Sequence, residues 1–349
     1  MAENRNNWVI GAIVGAGVLT ALTTWNKSRR TFDFKDKVVL ITGGARGLGL
    51  VLAREFAAQG AKIAICSRSG EELARAREDL ETLGAEVFEA VCDVRNQAAV
   101  DRLIEDVCMR FGRIDVLVNN AGVIQVGPLE LQTQKDFEDA MAVHFWGPFY
   151  TMQAVVPKMR RQGSGRIVNI ASIGGKVAVP HLAPYCASKF ALVGLSNAMR
   201  GELVKDNIFV TTVCPGLMRT GSHVNALFKG QNEKEFAWFS IGNALPFFSI
   251  SAENAARQIV NAARRGDAEA IISIQAEFAA KMNNLFPELT AEILTLINQI
   301  LPSPGGIGKS LAKGKDSESW ISPSFLTTLS DNQIDKNNEQ EEGMNFYEK

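Results

Sequence analysis

The sequence predicts an α/β protein with a doubly wound, mostly parallel sheet, and three observations support this prediction. Between residues 37 and 274, short runs rich in β-branched residues alternate with stretches of helical periodicity. The runs are apolar at consecutive positions, as expected for strands buried on both faces of a parallel sheet. No internal repeat or linker interrupts the alternation, so we expect a single domain over residues 31–275.

Each predicted strand is justified by its own apolar run, and helical segments lie between the strands. The first strand, at residues 38–41, consists only of valine, leucine and isoleucine and precedes an amphipathic stretch at residues 48–59. A second helix is expected at residues 71–83 after the second strand. The seven predicted strands cover residues 38–41, 62–66, 86–91, 116–119, 166–170, 209–213 and 270–274.

The composition excludes several classes of protein. The chain has 349 residues, of which 46% are hydrophobic and 21% are charged, and this is the range of globular proteins. A net charge of −1 provides no basic face for nucleic acid, so no nucleic-acid partner is expected. The five cysteines are widely spaced without a CxxC pair, which argues against a disulfide framework or a zinc knuckle and indicates a reducing compartment.

Residues 1–30 predict an N-terminal membrane anchor. No charge occurs between residues 6 and 26, and a helix of this length spans the roughly 30 Å hydrocarbon core. Trp8 and Trp25 lie where an interfacial aromatic belt is found, and three basic residues follow directly. We therefore expect a single-pass membrane protein whose catalytic domain faces the cytoplasm. A signal peptide, a buried helix and a surface-lying helix are the alternatives, but the charged n-region and the polar stripe are missing.

The C-terminal part predicts two further regions. Residues 276–301 form a helical extension in which Pro287 opens a stretch with apolar residues at helical spacing. That apolar face is expected to pack on the core or on a second subunit. Residues 302–349 are rich in small and polar residues and cannot bury enough apolar surface to offset their ordering entropy, so we expect a mostly disordered tail.

A glycine-rich turn, TGGARGLG at residues 42–49, follows the first strand and opens the first helix. Glycines permit a tight turn and let backbone N–H groups approach a pyrophosphate, while the helix N-terminus adds partial positive charge. The position on the first strand of an α/β pattern makes this a predicted phosphate site. Its candidate cofactor-binding residues are Gly43, Arg46, Gly47, Leu48 and Gly49.

Four further motifs follow the turn in a fixed order. They are NNAG at residues 119–122, Ser172, a YxxxK pattern from Tyr185 to Lys189, and Pro215-Gly216 with Thr220 downstream. With the glycine turn, they make residues 35–274 resemble the short-chain dehydrogenase/reductase family. The resemblance implies a Rossmann-like fold, a nicotinamide cofactor, chemistry on carbonyl or alcohol groups, and a homo-oligomer. It also implies cofactor contacts by Tyr185 and Lys189 and by Asp93, Val94, Asn120, Ala121, Gly122, Pro215 and Gly216.

The end of the second strand bears on the choice between NAD and NADP. An acidic residue there binds the ribose 2′-hydroxyl of NAD, whereas a basic residue accommodates the 2′-phosphate of NADP. The sequence has Arg68 at this tip and Arg46 in the glycine turn, with no carboxylate at the tip. This pair resembles NADP-preferring members of the family, so NADP(H) is the expected cofactor.

The reaction centre is predicted from three side chains. Tyr185 and Lys189 are four residues apart on a predicted helix and therefore lie on one face. We expect the ammonium group to depress the tyrosine pKa, so that Tyr185 acts as acid and base. Ser172 is expected to polarise the substrate oxygen.

His144 marks a departure from the family pattern. Many members carry an asparagine in the helix after the fourth strand, where it helps to hold a proton-relay water. Here His144 stands in that position. Histidine can bond a water or a backbone carbonyl, so we include His144 among the candidate catalytic residues as a substitute relay. The alternatives are a reorganised, less active site and a hydrogen-bonded core histidine.

The predicted lid, at residues 216–250, bears on the substrate. It is rich in aromatic residues: Phe228, Phe236, Trp238, Phe239, Phe247 and Phe248. We expect an apolar carbonyl or alcohol substrate, lipid-like and drawn from the bilayer, although the aromatics could instead form lid core or a dimer contact. The favoured function is an NADP(H)-dependent oxidoreductase, and the alternative is a non-enzymatic NADP-binding membrane scaffold or sensor.

Overall fold

The protein is represented by a computed structural model that describes residues 30–245, 247, 249–319, 322–324 and 327–339. In these residues, helices cover both faces of a central sheet. The strands are β1 (Val38–Thr42), β2 (Lys62–Ser67), β3 (Val87–Val91), β4 (Val116–Asn119), β5 (Gln125–Val126), β6 (Gly165–Ile170), β7 (Ile208–Pro215), β8 (Leu217–Arg219), β9 (Leu227–Phe228), β10 (Ser249–Ser251), β11 (Glu269–Ile272) and β12 (Ala312–Lys313).

The helices alternate with these strands along most of the chain. A π-helical turn, Ala142–Trp146, joins the fourth helix to the fifth. The helices are α1 (Gly47–Ala57), α2 (Gly70–Thr82), α3 (Gln97–Phe111), α4 (Gln134–Met141), α5 (Gly147–Gln162), α6 (Ala183–Leu203), α7 (Asn232–Ala244), α8 (Ala252–Arg265), α9 (Ile274–Leu285), α10 (Pro287–Ile300) and α11 (Thr328–Asp331).

The central sheet has seven strands in the order β3-β2-β1-β4-β6-β7-β11, and all neighbouring pairs are parallel. From β1 the chain builds the sheet outward through β2 and β3, and it then returns to the other side of β1 at β4. The carboxyl ends of β1 and β4 therefore flank a topological switch point, where ligands bind in open α/β sheets. In the β1–β4 register, Thr42 lies opposite Asn119.

Strand β1 shows why this sheet is buried on both faces. All five of its residues are buried, and successive side chains point to opposite faces. Val39 and Ile41 pack with residues of α1 and α8 in one apolar cluster. Val38 and Leu40 pack with residues of α3 and α5 in another cluster. The continuous apolar run thus supplies both layers of the core at once.

The structure confirms the predicted fold class, a Rossmann-like α/β fold with a parallel sheet. All seven predicted strands are present, and their ends differ from the prediction by no more than two residues. The predicted helices at residues 48–59 and 71–83 correspond to α1 and α2. This agreement is expected because long apolar runs and helical periodicity are the strongest local signals.

The predicted membrane localisation is wrong. Among the residues described, none of the helices combines the length and the apolarity needed to cross a bilayer. The anchor predicted at residues 1–30 lies, except for Arg30, outside the described residues. Length and absence of charge were its main basis, but the stretch is rich in glycine, alanine and threonine, which favour insertion far less than leucine or phenylalanine.

The C-terminal regions differ from expectation in part. Helices α9 and α10 occupy the predicted extension, and the apolar residues of α10 are exposed, as Leu296 at 62% and Ile300 at 83% show. They do not pack on the core, and the alternative of packing on a second subunit stays a prediction. The segment expected to be disordered contains ordered structure, including β12 paired with β9 and the helix α11. Polar contacts with the domain, described below, hold this segment.

Candidate active site

The glycine turn lies at the carboxyl end of β1, as predicted. Gly43 has a φ of +62°, and a Cβ atom there would lie 2.9 Å from the Cα atom of Ala121. A Cβ atom on Gly49 would overlap the carbonyl oxygen of Gly43. Gly47 begins α1, and Arg46 occupies its N-cap position with extended backbone. The turn is therefore closed too tightly for larger residues, and it presents the first N–H groups of α1, including that of Leu48, at the switch point.

The NNAG motif holds this turn from the neighbouring strand. The Asn120 Nδ2 atom donates to the carbonyl oxygens of Gly43 at 3.0 Å and Thr42 at 3.2 Å. The Thr42 hydroxyl in turn accepts from the backbone N–H groups of Asn120 and Ala121. A Cβ atom on Gly122 would lie 3.2 Å from the Nε2 atom of His144, so this glycine admits the histidine ring. The motif thus ties β1 to β4 at the crevice.

The two arginines predicted to select the cofactor have different surroundings. Arg68 is exposed at the end of β2, close enough to Asp93 for its charge to lower the pKa of that carboxyl. The Arg46 Nη1 atom lies 2.5 Å from Glu339, and its Nε atom lies 3.6 Å from Glu72. Glu72 accepts a hydrogen bond from Ser67 at the tip of β2, so a carboxylate does lie there. This carboxylate comes from the first turn of α2, so the residues at the β2 tip alone do not reveal it.

Asp93 and Val94, expected to contact adenine, make mainly local contacts. The Asp93 carboxylate accepts hydrogen bonds from the Arg95 side chain at 2.6–3.0 Å and from its backbone N–H. These hydrogen bonds lower the pKa of Asp93 against the raising effect of burial. Val94 is buried and packs against the start of α5 at Gly147.

The structure brings Ser172, Tyr185 and Lys189 together beyond the end of β6. Tyr185 and Lys189 lie in the first two turns of α6, and the Lys189 Nζ atom is 5.6 Å from the centre of the Tyr185 ring. The same Nζ atom donates to the carbonyl oxygen of Ile170 at 2.8 Å. Ser172 accepts a hydrogen bond from the Gly174 N–H at 3.0 Å, which fixes its hydroxyl oxygen. Ser172 and Tyr185 can therefore address one carbonyl, with the Lys189 ammonium beside the tyrosine ring.

Burial sets the protonation of these groups. It raises the pKa of Tyr185 to about 12, against the lowering effect of its hydrogen bond with Ser172. Burial also lowers the pKa of Lys189 to about 7. The expected depression of the tyrosine pKa by the lysine is therefore wrong for this arrangement. Its physical reason is that both groups are buried, so desolvation disfavours the phenolate and the ammonium alike.

Both ring nitrogens of His144 bond to the protein. The Val123 N–H donates to Nε2 at 3.1 Å, and Nδ1 lies 2.8 Å from the Ser188 hydroxyl. Ser188 donates its own proton to the carbonyl oxygen of Tyr185, so Nδ1 must be the donor toward Ser188. Burial lowers the pKa of His144 well below its usual value, consistent with a neutral ring. The ring also packs edge-on against Tyr185 at 5.4 Å.

The aromatic residues of the lid form a small core beside Tyr185. Phe228, Phe236 and Phe239 are buried together with residues of β5 and α6, and Trp238 packs against their cluster. Phe247 is 75% exposed, and Phe248 lies outside the described residues. Tyr185 itself contacts this cluster. The lid therefore supplies apolar surroundings for the reaction centre, although most of its aromatics pack on one another.

Pro215 and Gly216 lie at the end of β7, next to the same crevice. The Gly216 N–H donates to the carbonyl oxygen of Ile272 at 3.0 Å. A Cβ atom on Gly216 would lie 2.8 Å from the Ser273 hydroxyl oxygen, so only glycine fits without displacing that group. Pro215 pairs with Ile272 in the β7–β11 register. The two residues fix the start of the lid.

A segment that our sequence analysis did not connect with the site crosses the glycine turn. Residues 327–339, here called the C-terminal strap, place the carbonyl oxygen of Asn337 2.9 Å from the Gly47 nitrogen. Glu339 is 4% exposed and contacts Gly47 and Arg46. Burial raises the pKa of this carboxyl, while the Arg46 charge lowers it. No local sequence signal marks these contacts, which join residues almost 300 positions apart.

The groups of the crevice fit the phosphates of a dinucleotide. The glycines let the turn close tightly at the start of α1, and the N-terminus of α1 and Arg46 provide positive charge. Ser172, Tyr185 and Lys189 lie at the carboxyl end of the same sheet. This donor set fits a nicotinamide dinucleotide.

Comparisons with known proteins agree with this geometry. The sequence model described as short chain dehydrogenase matches residues 37–229. The chain is 39% identical over 184 residues to an uncharacterized oxidoreductase of Thermotoga maritima, covering 53% of this chain and 72% of that protein. It is 38% identical over 187 residues to a putative ketoacyl reductase of Streptomyces coelicolor, with the same coverage of 53% and 72%.

A solved structure is similar as well. It is that of a variant of actinorhodin polyketide ketoreductase with NADPH, with a TM-score of 0.62 and 30% sequence identity. The alignment covers 68% of this chain and 95% of that protein. The family match exceeds half of the chain and contains the glycine turn, Ser172, Tyr185 and Lys189. This chain therefore belongs to the short-chain dehydrogenase family and is an oxidoreductase that acts on carbonyl or alcohol groups.

Proposed function

We propose that this chain is an NADP(H)-dependent reductase of an apolar, lipid-like carbonyl substrate. The observation that carries the proposal is the convergence of Ser172, Tyr185 and Lys189 beyond the end of β6, beside a glycine cradle and an aromatic cluster. Membrane attachment is no part of the proposal. The Streptomyces relative and the actinorhodin enzyme are both named as reductases of keto groups, which favours reduction as the direction.

The proposed mechanism assigns one task to each side chain. A nicotinamide dinucleotide held by the glycine turn and Arg46 would supply the hydride for the carbonyl carbon. Ser172 donates its hydroxyl proton as a hydrogen bond to the carbonyl oxygen, because its own oxygen already accepts from Gly174. Tyr185 is protonated at neutral pH, since its pKa is about 12, and it transfers its proton to the developing alkoxide. Burial lowers the pKa of Lys189 to about 7, so the lysine is partly protonated near neutral pH, and in that form its ammonium stabilises the phenolate that remains.

Charge at the end of β2 supports NADP(H) over NAD(H). Arg68 is exposed there. Arg46 and Ser67 both contact the Glu72 carboxylate, which brings Arg46 to the same end of β2. A 2′-phosphate can bind between such guanidinium groups by charge-assisted hydrogen bonds. The negative charge of the Glu72 carboxylate would repel a 2′-phosphate. This carboxylate is already hydrogen-bonded by Ser67 and close to Arg46, so we expect the two arginines to dominate.

The proposed activity is tested by NADPH oxidation with a panel of carbonyl compounds. We expect kcat/KM for a medium-chain methyl ketone or ketoacyl thioester to exceed that for dihydroxyacetone by at least tenfold, because the lid surrounds Tyr185 with aromatic rings. We also expect kcat/KM with NADPH to exceed kcat/KM with NADH by a similar factor. Activity confined to small polar sugars would contradict the substrate class. NADPH binding without any turnover would favour the non-enzymatic scaffold.

We propose that His144 acts as a positioning residue and that no relay water depends on it. Replacing His144 by Phe keeps a ring that packs on Tyr185 but removes both hydrogen bonds, leaving the half-buried Val123 N–H without its acceptor. We expect a loss of about 1–3 kcal/mol in the free energy of unfolding, as for a buried donor that loses its partner. We expect His144→Asn to retain kcat within about tenfold.

Thermal unfolding and steady-state kinetics of both variants check this prediction. If His144 acts as a positioning residue, its replacement should change the melting temperature more than it changes kcat. A hundredfold loss of kcat in His144→Asn with an unchanged melting temperature would instead establish a direct part in proton transfer.

A further inference from the structure

The C-terminal strap lies where a dinucleotide diphosphate would enter. It runs between the glycine turn and the segment after β7, and it bonds to both. The Gly47 N–H donates to the carbonyl oxygen of Asn337 at 2.9 Å, and the Asn337 side chain donates to the carbonyl oxygen of Thr220 at 3.1 Å. The strap therefore bridges the two walls of the cofactor crevice.

Glu339 adds a negative charge at the centre of this contact. One carboxylate oxygen lies 2.5 Å from the Arg46 Nη1 atom and accepts from the Asn225 side chain at 2.8 Å. The other oxygen lies against the Cα atom of Gly47, in the space that a Cβ atom would take. The carboxylate thus occupies the position and uses the cation expected to serve a phosphate.

Further polar contacts fix the neighbouring residues of the strap. The Asn338 side chain donates to the carbonyl oxygens of Ala45 at 2.8 Å and Glu72 at 2.9 Å. The Arg54 guanidinium donates to the carbonyl oxygen of Lys336 at 2.8 Å. These bonds hold the peptide in one register over the turn, so that Glu339 meets Arg46.

The strap and a dinucleotide cannot use this site together. The N–H of Gly47 and the space above its Cα atom each accommodate one oxygen at a time, and Glu339 already occupies the Nη1 side of the Arg46 guanidinium. Both ligands also draw on the same positive end of the α1 dipole. Occupation by one therefore requires withdrawal of the other.

We propose that the C-terminal strap is an internal competitor of the dinucleotide and closes the phosphate cradle until NADP(H) displaces it. The inference rests on the proposed function for the identity of the displacing ligand. The strap is attached to the same chain, so its high effective concentration lets modest contacts compete. The apparent dissociation constant of NADPH is then the intrinsic value divided by the fraction of open molecules.

The contacts of the strap suit a displaceable element. Of its two large apolar residues, Ile334 is buried whereas Leu329 is 47% exposed. The remaining contacts named here are hydrogen bonds and ion pairs. Phosphate oxygens can replace the strap as acceptors from the Gly47 N–H and Arg46, whereas the carbonyl oxygens that accept from Asn337 and Asn338 would return to water. A segment fixed by a large apolar core would not exchange in this way.

The substitution Glu339→Gln in the full chain tests the proposal. It keeps the size of the side chain but removes the charge that pairs with Arg46. We expect the dissociation constant of NADPH, measured by titration calorimetry, to decrease at least fivefold. The control Glu288→Gln makes the same change at an exposed position of α10 and is expected to bind like the wild type. An unchanged or increased dissociation constant in Glu339→Gln would overturn the proposal.

Hydrogen exchange of the wild-type chain provides a second readout. Within the strap, the backbone N–H groups of Ile334, Asn337, Asn338 and Glu339 form local hydrogen bonds. We expect NADPH to accelerate exchange in residues 334–339 and to leave α10 unchanged. If NADPH slows exchange there, the strap clamps the cofactor, and the competitor role is excluded.

These measurements separate the strap from the proposed activity. If Glu339→Gln binds NADPH more tightly but the chain reduces no carbonyl, the result would support the competitor role of the strap and contradict the proposed reductase activity. If the wild-type chain reduces carbonyls but binds NADPH with the same affinity as Glu339→Gln, the result would support the proposed reductase activity and contradict the competitor role of the strap.

Discussion

Replacing Tyr185 by Phe is expected to lower kcat for carbonyl reduction on the order of 10²–10⁴-fold, the usual contribution of a general acid. The phenol is the only group in our mechanism that delivers a proton to the alkoxide. The ring itself remains, so its packing against His144 and Gly174 is retained. We therefore expect the dissociation constant of NADPH to change less than threefold. Steady-state NADPH oxidation and calorimetric titration measure the two effects separately.

Tyr150→Phe is the matched control for this variant. Tyr150 lies on α5 and stacks on Trp146 with ring centres 6.0 Å apart, and it packs against a different apolar cluster from the one that Tyr185 contacts. Removing the hydroxyl group of Tyr150 should leave kcat within about twofold of the wild-type value. If Tyr185→Phe retained more than a tenth of wild-type kcat, another group would have to donate the proton.

Replacing Gly49 by Ala is expected to disrupt the cofactor turn. The new Cβ atom would overlap the Gly43 carbonyl oxygen and lie 2.6 Å from the Nδ2 atom of Asn120, which holds the turn. The backbone must shift to relieve these contacts, and overpacking of this kind costs about 1–3 kcal/mol in the free energy of unfolding. We also expect NADPH to bind at least tenfold more weakly, because the shifted turn moves the first N–H groups of α1.

Gly194→Ala provides the control for the change from glycine to alanine. Gly194 lies inside α6, where a Cβ atom would meet no atom within 4 Å. Alanine favours a helix over glycine by up to about 1 kcal/mol, so this variant should be slightly more stable and bind NADPH normally. Chemical denaturation measures the free energy of unfolding of both variants, and calorimetric titration measures their dissociation constants for NADPH. Normal NADPH affinity in Gly49→Ala would show that the turn does not hold the phosphates.

The local pattern of the chain predicts much of the site because its residues lie at the ends of regular elements. The apolar run of β1 requires burial on both faces, and the glycines after it require a tight turn. The spacing of four residues between Tyr185 and Lys189 places both on one face of α6. Such features depend on neighbouring residues only, so periodicity and spacing suffice to find them.

Other properties of the site depend on atoms that are distant in the sequence. Tyr185 has a raised pKa because residues from several elements bury it, which its spacing from Lys189 does not reveal. His144 bonds to Val123 and Ser188, and these contacts commit both ring nitrogens to the protein. From the sequence alone a relay water is the expected partner of this histidine, because the residues around it do not indicate that Val123 and Ser188 bond to its ring.

The C-terminal strap is the clearest difference between sequence and structure. Its low apolar content predicts disorder, because apolar burial is the usual compensation for ordering entropy. In the structure, polar groups of the domain replace that burial. Arg46 pairs with Glu339, and the Gly47 N–H donates to Asn337, across almost 300 residues of sequence.

The amino-acid sequence by itself determined the parallel sheet, the family motifs and their order along the chain. Only the tertiary structure decided the protonation state of Tyr185, the partners of His144 and the position of Glu339 in the phosphate cradle. Hydrophobic periodicity is written into consecutive residues, whereas burial and hydrogen bonding arise between segments that meet only after folding.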